Sequence, residues 1–168
     1  RSENVLITGH RRENFGKDLD QILDAIRASA RKYKHVNFIY PVHLNPKVKQ
    51  PVFKKLSGVS NIHLIEPQDY LSFVYLMKKC KFVISDSGGV QEEAPYIGVP
   101  VLVTRRSSER LEAVEGGNSF LVGTHKDRIV NKIDEFFDTQ KTLDFPEQKD
   151  LYGDGTASKT ITKFILGL

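Results

Sequence analysis

The chain has 168 residues, 39% of them hydrophobic and 27% charged, with one cysteine and a formal net charge of +4. That suffices for one domain with a single core, while the lone Cys80 excludes a disulfide framework or a Cys-rich zinc site and fits a reducing, cytoplasmic setting. No run approaches the roughly 18 apolar residues of a membrane span, and the start, Arg1-Ser2-Glu3-Asn4, has neither an initiator Met nor a signal-peptide pattern, so the sequence reads as a piece of something longer.

In chain order, six short apolar runs read as strands: 5–7, 36–40, 62–65, 82–84, 101–103 and 120–122. Several are apolar throughout, which suits a parallel sheet covered on both faces. Between the first two, Leu19, Ile22, Leu23, Ile26, Ala30 and Tyr33 form one helical stripe over residues 18–34, with Asp18 and Asp20 at its start and Lys32 and Lys34 at its end. Residues 46–57 read as a helix made irregular by Pro51. A third helix covers 70–79 behind Asp69 as N-cap. A fourth covers 91–97, ended by Gly98 and Pro100. Ser108 is placed to cap a helix beginning at Glu109, with Glu112 near the capping-box position. Thr124 is placed to cap another, with Asp127 three residues on and Ile129, Val130, Ile133, Phe136 and Phe137 facing inward. Residues 138–150 read as a loop. A last helix starts near Thr156 and carries Ile161, Phe164, Ile165 and Leu168. Strands alternating with helices predict an α/β fold, a Rossmann-like doubly wound parallel sheet of about six strands, in one domain over 1–168.

Charge is unevenly spread. Residues 1–55 hold 12 Lys/Arg against 5 Asp/Glu, and residues 56–168 hold 13 against 16. A solvated basic face explains this, as does an anion drawn to the first third. No basic run with interleaved aromatics appears, which argues against nucleic acid.

Ligands of such folds sit beyond the carboxyl ends of the strands. After the first strand, Thr8 to Asn14 brings His10, Arg11 and Arg12 onto one loop. Arg supplies bidentate donors for phosphate or carboxylate, and His titrates near neutrality; a surface loop with an internal Arg–Glu pair explains the same residues. After the second, Pro41 and Pro46 flank and stiffen the loop holding His43. After the fourth, Ser87-Gly88-Gly89 opens a helix directly behind a buried strand. Its free amides and the helix dipole suit a diphosphate, with Ser87 as a further donor. No Gly-Lys-Ser/Thr follows, so this is not an ATP-hydrolysing loop. Glu92 and Glu93, one turn on, are placed to accept from ribose hydroxyls. After the fifth come Arg105, Arg106 and Arg110. A bound anion would offset the cost of Arg110 at a helix start, though pairing with nearby Glu residues also explains these arginines. Tyr152-Gly153-Asp154-Gly155 reads as a turn running into a cap.

Taken together, Gly9-His10-Arg11-Arg12-Glu13-Asn14, Pro41-Val42-His43-Leu44-Asn45-Pro46, Asp86-Ser87-Gly88-Gly89-Val90-Gln91-Glu92-Glu93, Ser108-Glu109-Arg110 and Tyr152-Gly153-Asp154-Gly155 closely resemble the bacterial UDP-N-acetylglucosamine 2-epimerases of the non-hydrolysing type. The resemblance covers essentially the whole chain. It implies the C-terminal half of a GT-B type two-domain fold, whose N-terminal catalytic domain is absent from this chain. It implies an isomerase interconverting UDP-GlcNAc and UDP-ManNAc by elimination of UDP to 2-acetamidoglucal and re-addition, with no metal or other cofactor, in cell-surface polysaccharide biosynthesis. It further implies that Ser87, Gly88 and Gly89 hold the diphosphate, Glu93 the ribose and Phe73 the uracil. His10 and Arg110 are implied at the reacting centre, and Arg11 and His43 at a second, regulatory UDP-GlcNAc. The partners implied are UDP-GlcNAc or UDP, the missing domain, and a second copy in a homodimer, with neither nucleic acid nor membrane. Two departures stand out: Leu111 replaces the family's proline after Glu-Arg, and the carboxylates that move the C2 proton lie in the missing half, so this piece is expected to be inactive alone. A hydrolysing epimerase half, a glycosyltransferase UDP-sugar module and a binding-only module are the alternatives.

Overall fold

A computed structural model of the chain describes residues 3–138 and 145–167; Arg1, Ser2, Leu168 and residues 139–144 of the expected loop lie outside the described residues. Strands β1 (Asn4–Thr8), β2 (Asn37–Pro41), β3 (Ile62–Ile65), β4 (Phe82–Ser85), β5 (Val101–Val103) and β6 (Ser119–Leu121) form one parallel sheet in the order β3-β2-β1-β4-β5-β6. The order reverses between β1 and β4, and such a switch point opens a crevice at the strands' carboxyl ends.

Apolar residues on both faces of the strands give two cores. Val5 and Ile7 of β1, Phe82 and Ile84 of β4 and Leu102 of β5 point one way. They are covered by α1 (Lys17–Lys32), α2 (Pro46–Leu56) and α6 (Lys126–Asp138) through Leu23, Ile26, Val52, Ile129 and Ile133. Leu6, Val83, Val101 and Val103 point the other way, against Met77 of α3 (Tyr70–Lys79) and Val90 and Ala94 of α4 (Gly88–Tyr96). This two-faced burial is why the strands read as continuous apolar runs rather than alternating ones. Helix α2 runs unbroken through Pro51, where an irregularity is expected, and Asn45 caps it by accepting from the Lys47 amide.

Three local expectations are corrected. Helix α4 starts at Gly88 rather than Gln91, because extended Ser87 serves as its N-cap and the first-turn amides need no partner inside the helix. Ser108 does not cap the following helix, α5 (Leu111–Glu115); Arg110 occupies the cap position, and the Ser108 hydroxyl donates to Gln91 Oε1 at 2.5 Å and accepts from the Arg110 amide at 3.0 Å. Thr124 is buried ahead of α6, which starts two residues later, so Asp127 is not the third residue of a Thr124 capping box. The last helix, α7 (Ala157–Leu166), buries none of its residues and leaves Phe164 87% exposed. No helix among the described residues is long and apolar enough to cross a membrane.

Candidate anion site at the switch point

The loops after β1 and β4 meet over the crevice, and their meeting point is a carboxylate. Asp86, the first residue past β4, is 3% exposed. It accepts from the backbone amides of His10 (3.1 and 3.2 Å to its two oxygens) and Arg11 (3.0 Å), and from Asn14 Nδ2 (3.1 Å). Asn14 Nδ2 also reaches the Thr104 carbonyl at 3.1 Å, tying these two loops to the one after β5.

Held this way, Arg11 reaches the start of α4. A methyl group built on Gly88 would sit 3.3 Å from Arg11 Nη2 and 3.8 Å from Arg110 Nη2, so two guanidiniums converge on one glycine. The Ser87 amide is taken by Ser85 Oγ at 3.0 Å, and the Ser87 carbonyl accepts from the Gln91 amide. Among the described residues, no acceptor is placed on the amides of Gly88, Gly89 or Val90. Two converging cations and a turn of open amides at the positive end of a helix make an arrangement that takes an anion with several oxygens.

Arg105 and Arg110 are themselves held by carboxylates. Arg105, 3% exposed, bonds Glu13 through Nε at 2.7 Å and grips Glu109 with both terminal nitrogens at 2.6 and 3.0 Å. The internal Arg–Glu pair expected for the first loop therefore forms with Arg105 rather than with Arg11 or Arg12. The Arg105 grip holds the Glu109 carboxyl down to about 2, and the two glutamates push Arg105 further up. Arg110 Nε pairs with Glu92, which raises the Arg110 guanidinium in turn.

His10 and His43 stack with ring centroids 5.4 Å apart and 15° between planes at the rim. His10 Nδ1 lies 3.9 Å from Asp86 Oδ1. His43 Nδ1 accepts from the Asn45 amide at 3.0 Å, which leaves the proton of the neutral ring on Nε2. His43 is thus oriented by Asn45 as well as by the prolines. Glu93 faces a cavity of about 370 Å³ between α3, α4 and residues 148–153, lined also by Tyr70, Val74, Tyr96 and Tyr152. The Glu93 charge raises the Tyr70 phenol. Phe73 does not line this cavity; it is partly buried against the core of Leu6, Met77 and Val83.

Of the residues singled out in the sequence, the structure brings His10, Arg11, His43, Ser87, Gly88, Gly89 and Arg110 to the crevice and puts Glu93 one turn along α4, with Phe73 apart. It shows Asp86, Asn14 and Arg105 bracing the loops around the site, and adds Tyr70 and Tyr152 as cavity-lining residues. Tyr152 stands in a segment that reads as a plain turn, and only the tertiary fold brings it beside Glu92 and Glu93.

The family model described as UDP-N-acetylglucosamine 2-epimerase matches residues 1–166. A probable UDP-N-acetylglucosamine 2-epimerase of Ralstonia nicotianae is 49% identical over 162 residues, 96% of this chain and 43% of that protein. The crystal structure of UDP-GlcNAc 2-epimerase from Neisseria meningitidis bound to UDP-GlcNAc superposes with a TM-score of 0.90 at 44% identity, over 99% of this chain and 45% of that one. An Escherichia coli heptosyltransferase solved with ADP shares the fold alone, at 11% identity and a TM-score of 0.59 over 82% of this chain and 44% of that one. The chain therefore spans less than half the length of the relatives it matches.

Proposed function

The chain belongs to the UDP-N-acetylglucosamine 2-epimerase family, and from that premise we propose that it is the UDP-binding, C-terminal half of a non-hydrolysing epimerase that interconverts UDP-GlcNAc and UDP-ManNAc. The observation that carries this reading is the convergence of Arg11 and Arg110 on Gly88 at the open start of α4. In the reaction, a base removes the C2 proton and the C1–O bond breaks. The bonding pair leaves on the diphosphate and 2-acetamidoglucal remains; protonation of C2 on the opposite face and re-attack of UDP at C1 complete the inversion.

On this reading the half described here holds the leaving group. Ser87, Gly88 and Gly89 bind the diphosphate and, with Arg110, stabilise the charge that gathers on it as the bond breaks. Glu93 accepts from the ribose and Phe73 lies beside the uracil. His10 stands at the rim facing the sugar and phosphates, and Arg11, beside the diphosphate at Gly88, also reaches with His43 toward a second, regulatory UDP-GlcNAc. Residues 1–168 form one nucleotide-binding domain of a two-domain, homodimeric cytoplasmic enzyme. Proton transfer needs a base within hydrogen-bond reach, and the groups assigned to C2 belong to the other half.

Calorimetric titration with UDP tests the binding role. The chain binds UDP, and a Ser87→Ala/Gly88→Val variant binds it at least tenfold more weakly; an unchanged isotherm removes the role. Incubated with UDP-GlcNAc, the chain alone forms no manno epimer, and sustained conversion would refute the assignment of the base to the other half. Product analysis of the longer parent separates UDP-ManNAc from the free N-acetylmannosamine that a hydrolysing enzyme releases.

A further inference from the structure

We propose that Asp86 is the positioning residue of the anion site, fixing the loop after β1 so that Arg11 and His10 face the start of α4. The inference rests on the diphosphate reading above.

A buried carboxylate beside a site that attracts anions is electrostatically unfavourable for that site, so its presence there needs another reason. Its bonds supply one. The amide of His10 is shared between both carboxylate oxygens, and the Arg11 amide and Asn14 Nδ2 go to Oδ2. All three partners lie 72–76 residues away in the chain, so Asp86 secures the neighbouring loop and not its own turn. Two successive backbone N–H groups and a side-chain amide converge on Oδ2, the His10 amide reaching Oδ1 as well, and a carboxylate, with two accepting oxygens and no hydrogens, meets all of them without a clash. An asparagine there would either turn its NH2 toward the His10 amide or, flipped, toward all three donors. The Arg11 amide is the group anchored, and the Arg11 guanidinium is what lies 3.3 Å from the methyl position on Gly88. Asn14, bonded to both Asp86 and the Thr104 carbonyl, carries the same constraint to the strand end before Arg105.

The test separates positioning from a purely structural role by using the two parts of the nucleotide. The 15N-labelled chain and its Asp86→Asn variant are titrated by NMR with inorganic pyrophosphate and, separately, with uridine, and both proteins are melted by circular dichroism. Pyrophosphate affinity falls at least tenfold in the variant, while uridine, which has no phosphate to be held, binds as in the parent. Asn14→Ala, which breaks the tie to Thr104 but leaves the backbone contacts of Asp86, gives a smaller loss of the same kind and serves if Asp86→Asn does not fold. Pyrophosphate binding within twofold of the parent in a folded variant overturns the proposal, as do equal losses for pyrophosphate and uridine or the unfolding of both variants. If the parent itself does not bind pyrophosphate, the diphosphate reading falls, and this proposal with it.

Discussion

Replacing Gly88 by alanine is expected to raise stability and lower affinity. Gly88 does not adopt a positive φ, so alanine is compatible with its backbone. The added methyl meets the far end of the Arg11 side chain at 3.3 Å, which can retreat by a few tenths of an ångström, and Arg110 Nη2 at an ordinary 3.8 Å. Alanine is the better helix former by about 1 kcal/mol in a helix interior, much of it because glycine leaves the unfolded chain more freedom to lose. At the first helical position, with a side chain to displace, about 0.5 kcal/mol should survive, or about 1–2 °C in Tm for a chain of this size. Affinity moves the other way. A hydrogen bond to a charged group contributes about 1.5–3 kcal/mol, and pushing Arg11 off the position it shares with Arg110 forfeits about one such bond. That corresponds to roughly 10- to 100-fold weaker binding. Calorimetric titration with UDP and a thermal melt on the same preparation read both quantities. An affinity within threefold of the parent, or a Tm lower by more than about 3 °C, would refute the reasoning.

Leu111 is the first residue of α5, where proline is preorganised, so Leu111→Pro should stabilise by about 0.4–1 kcal/mol in denaturant melts and tighten UDP binding through Arg110. Glu109 is held down to about 2 from an ordinary 4.5 by Arg105. A lowered value contributes stability above pH 4.5 that is lost as pH falls toward 2, so the Tm gap between parent and Glu109→Gln should close over that window; a constant gap contradicts it. Burial pushes the Cys80 thiol up to about 12, and iodoacetamide at pH 8 should label it only after denaturant is added. Asn61→Ala strips the side-chain amide that bonds the carbonyls of Ala30, Tyr33 and Val36. It should cost about 2–3 kcal/mol in urea unfolding.

The elements legible in the sequence were those whose signal is local. The stripe from Leu19 to Tyr33 and the apolar runs each state a period or a length, and the strand-then-helix alternation led directly to the observed parallel sheet. Misread positions are those where a distant partner outbids the local pattern. Ser108 with Glu112 looks like a cap and its box, but the hydroxyl goes to Gln91 and the neighbouring Glu109 to Arg105. The helix placed over 91–97 begins three residues earlier, on Gly88 and Gly89, because first-turn amides need no helical partner. The candidate site was legible as a set of loops. What braces it was legible only in part: pairing of Arg105 with a nearby glutamate was read, and Glu109 lies four residues on, but the contacts of Asp86 and Asn14 and the Arg105–Glu13 pair span 72 to 92 residues, which no motif spacing encodes.

The side-by-side placement of β1 and β4 has a consequence for the order of assembly. During synthesis, a ribosome that has released residues 1–80 has already delivered every group on the His10–Asn14 loop, together with three strands of the sheet. The His10 and Arg11 amides and the Asn14 side chain do not yet have their acceptors. Bringing that distant segment back carries a loop-closure cost, and the Asp86 contacts of the crevice form only once it is done. Capture of a nucleotide would therefore mark the moment at which the two halves of the sheet have joined, and could serve as a clock for the last stage of folding.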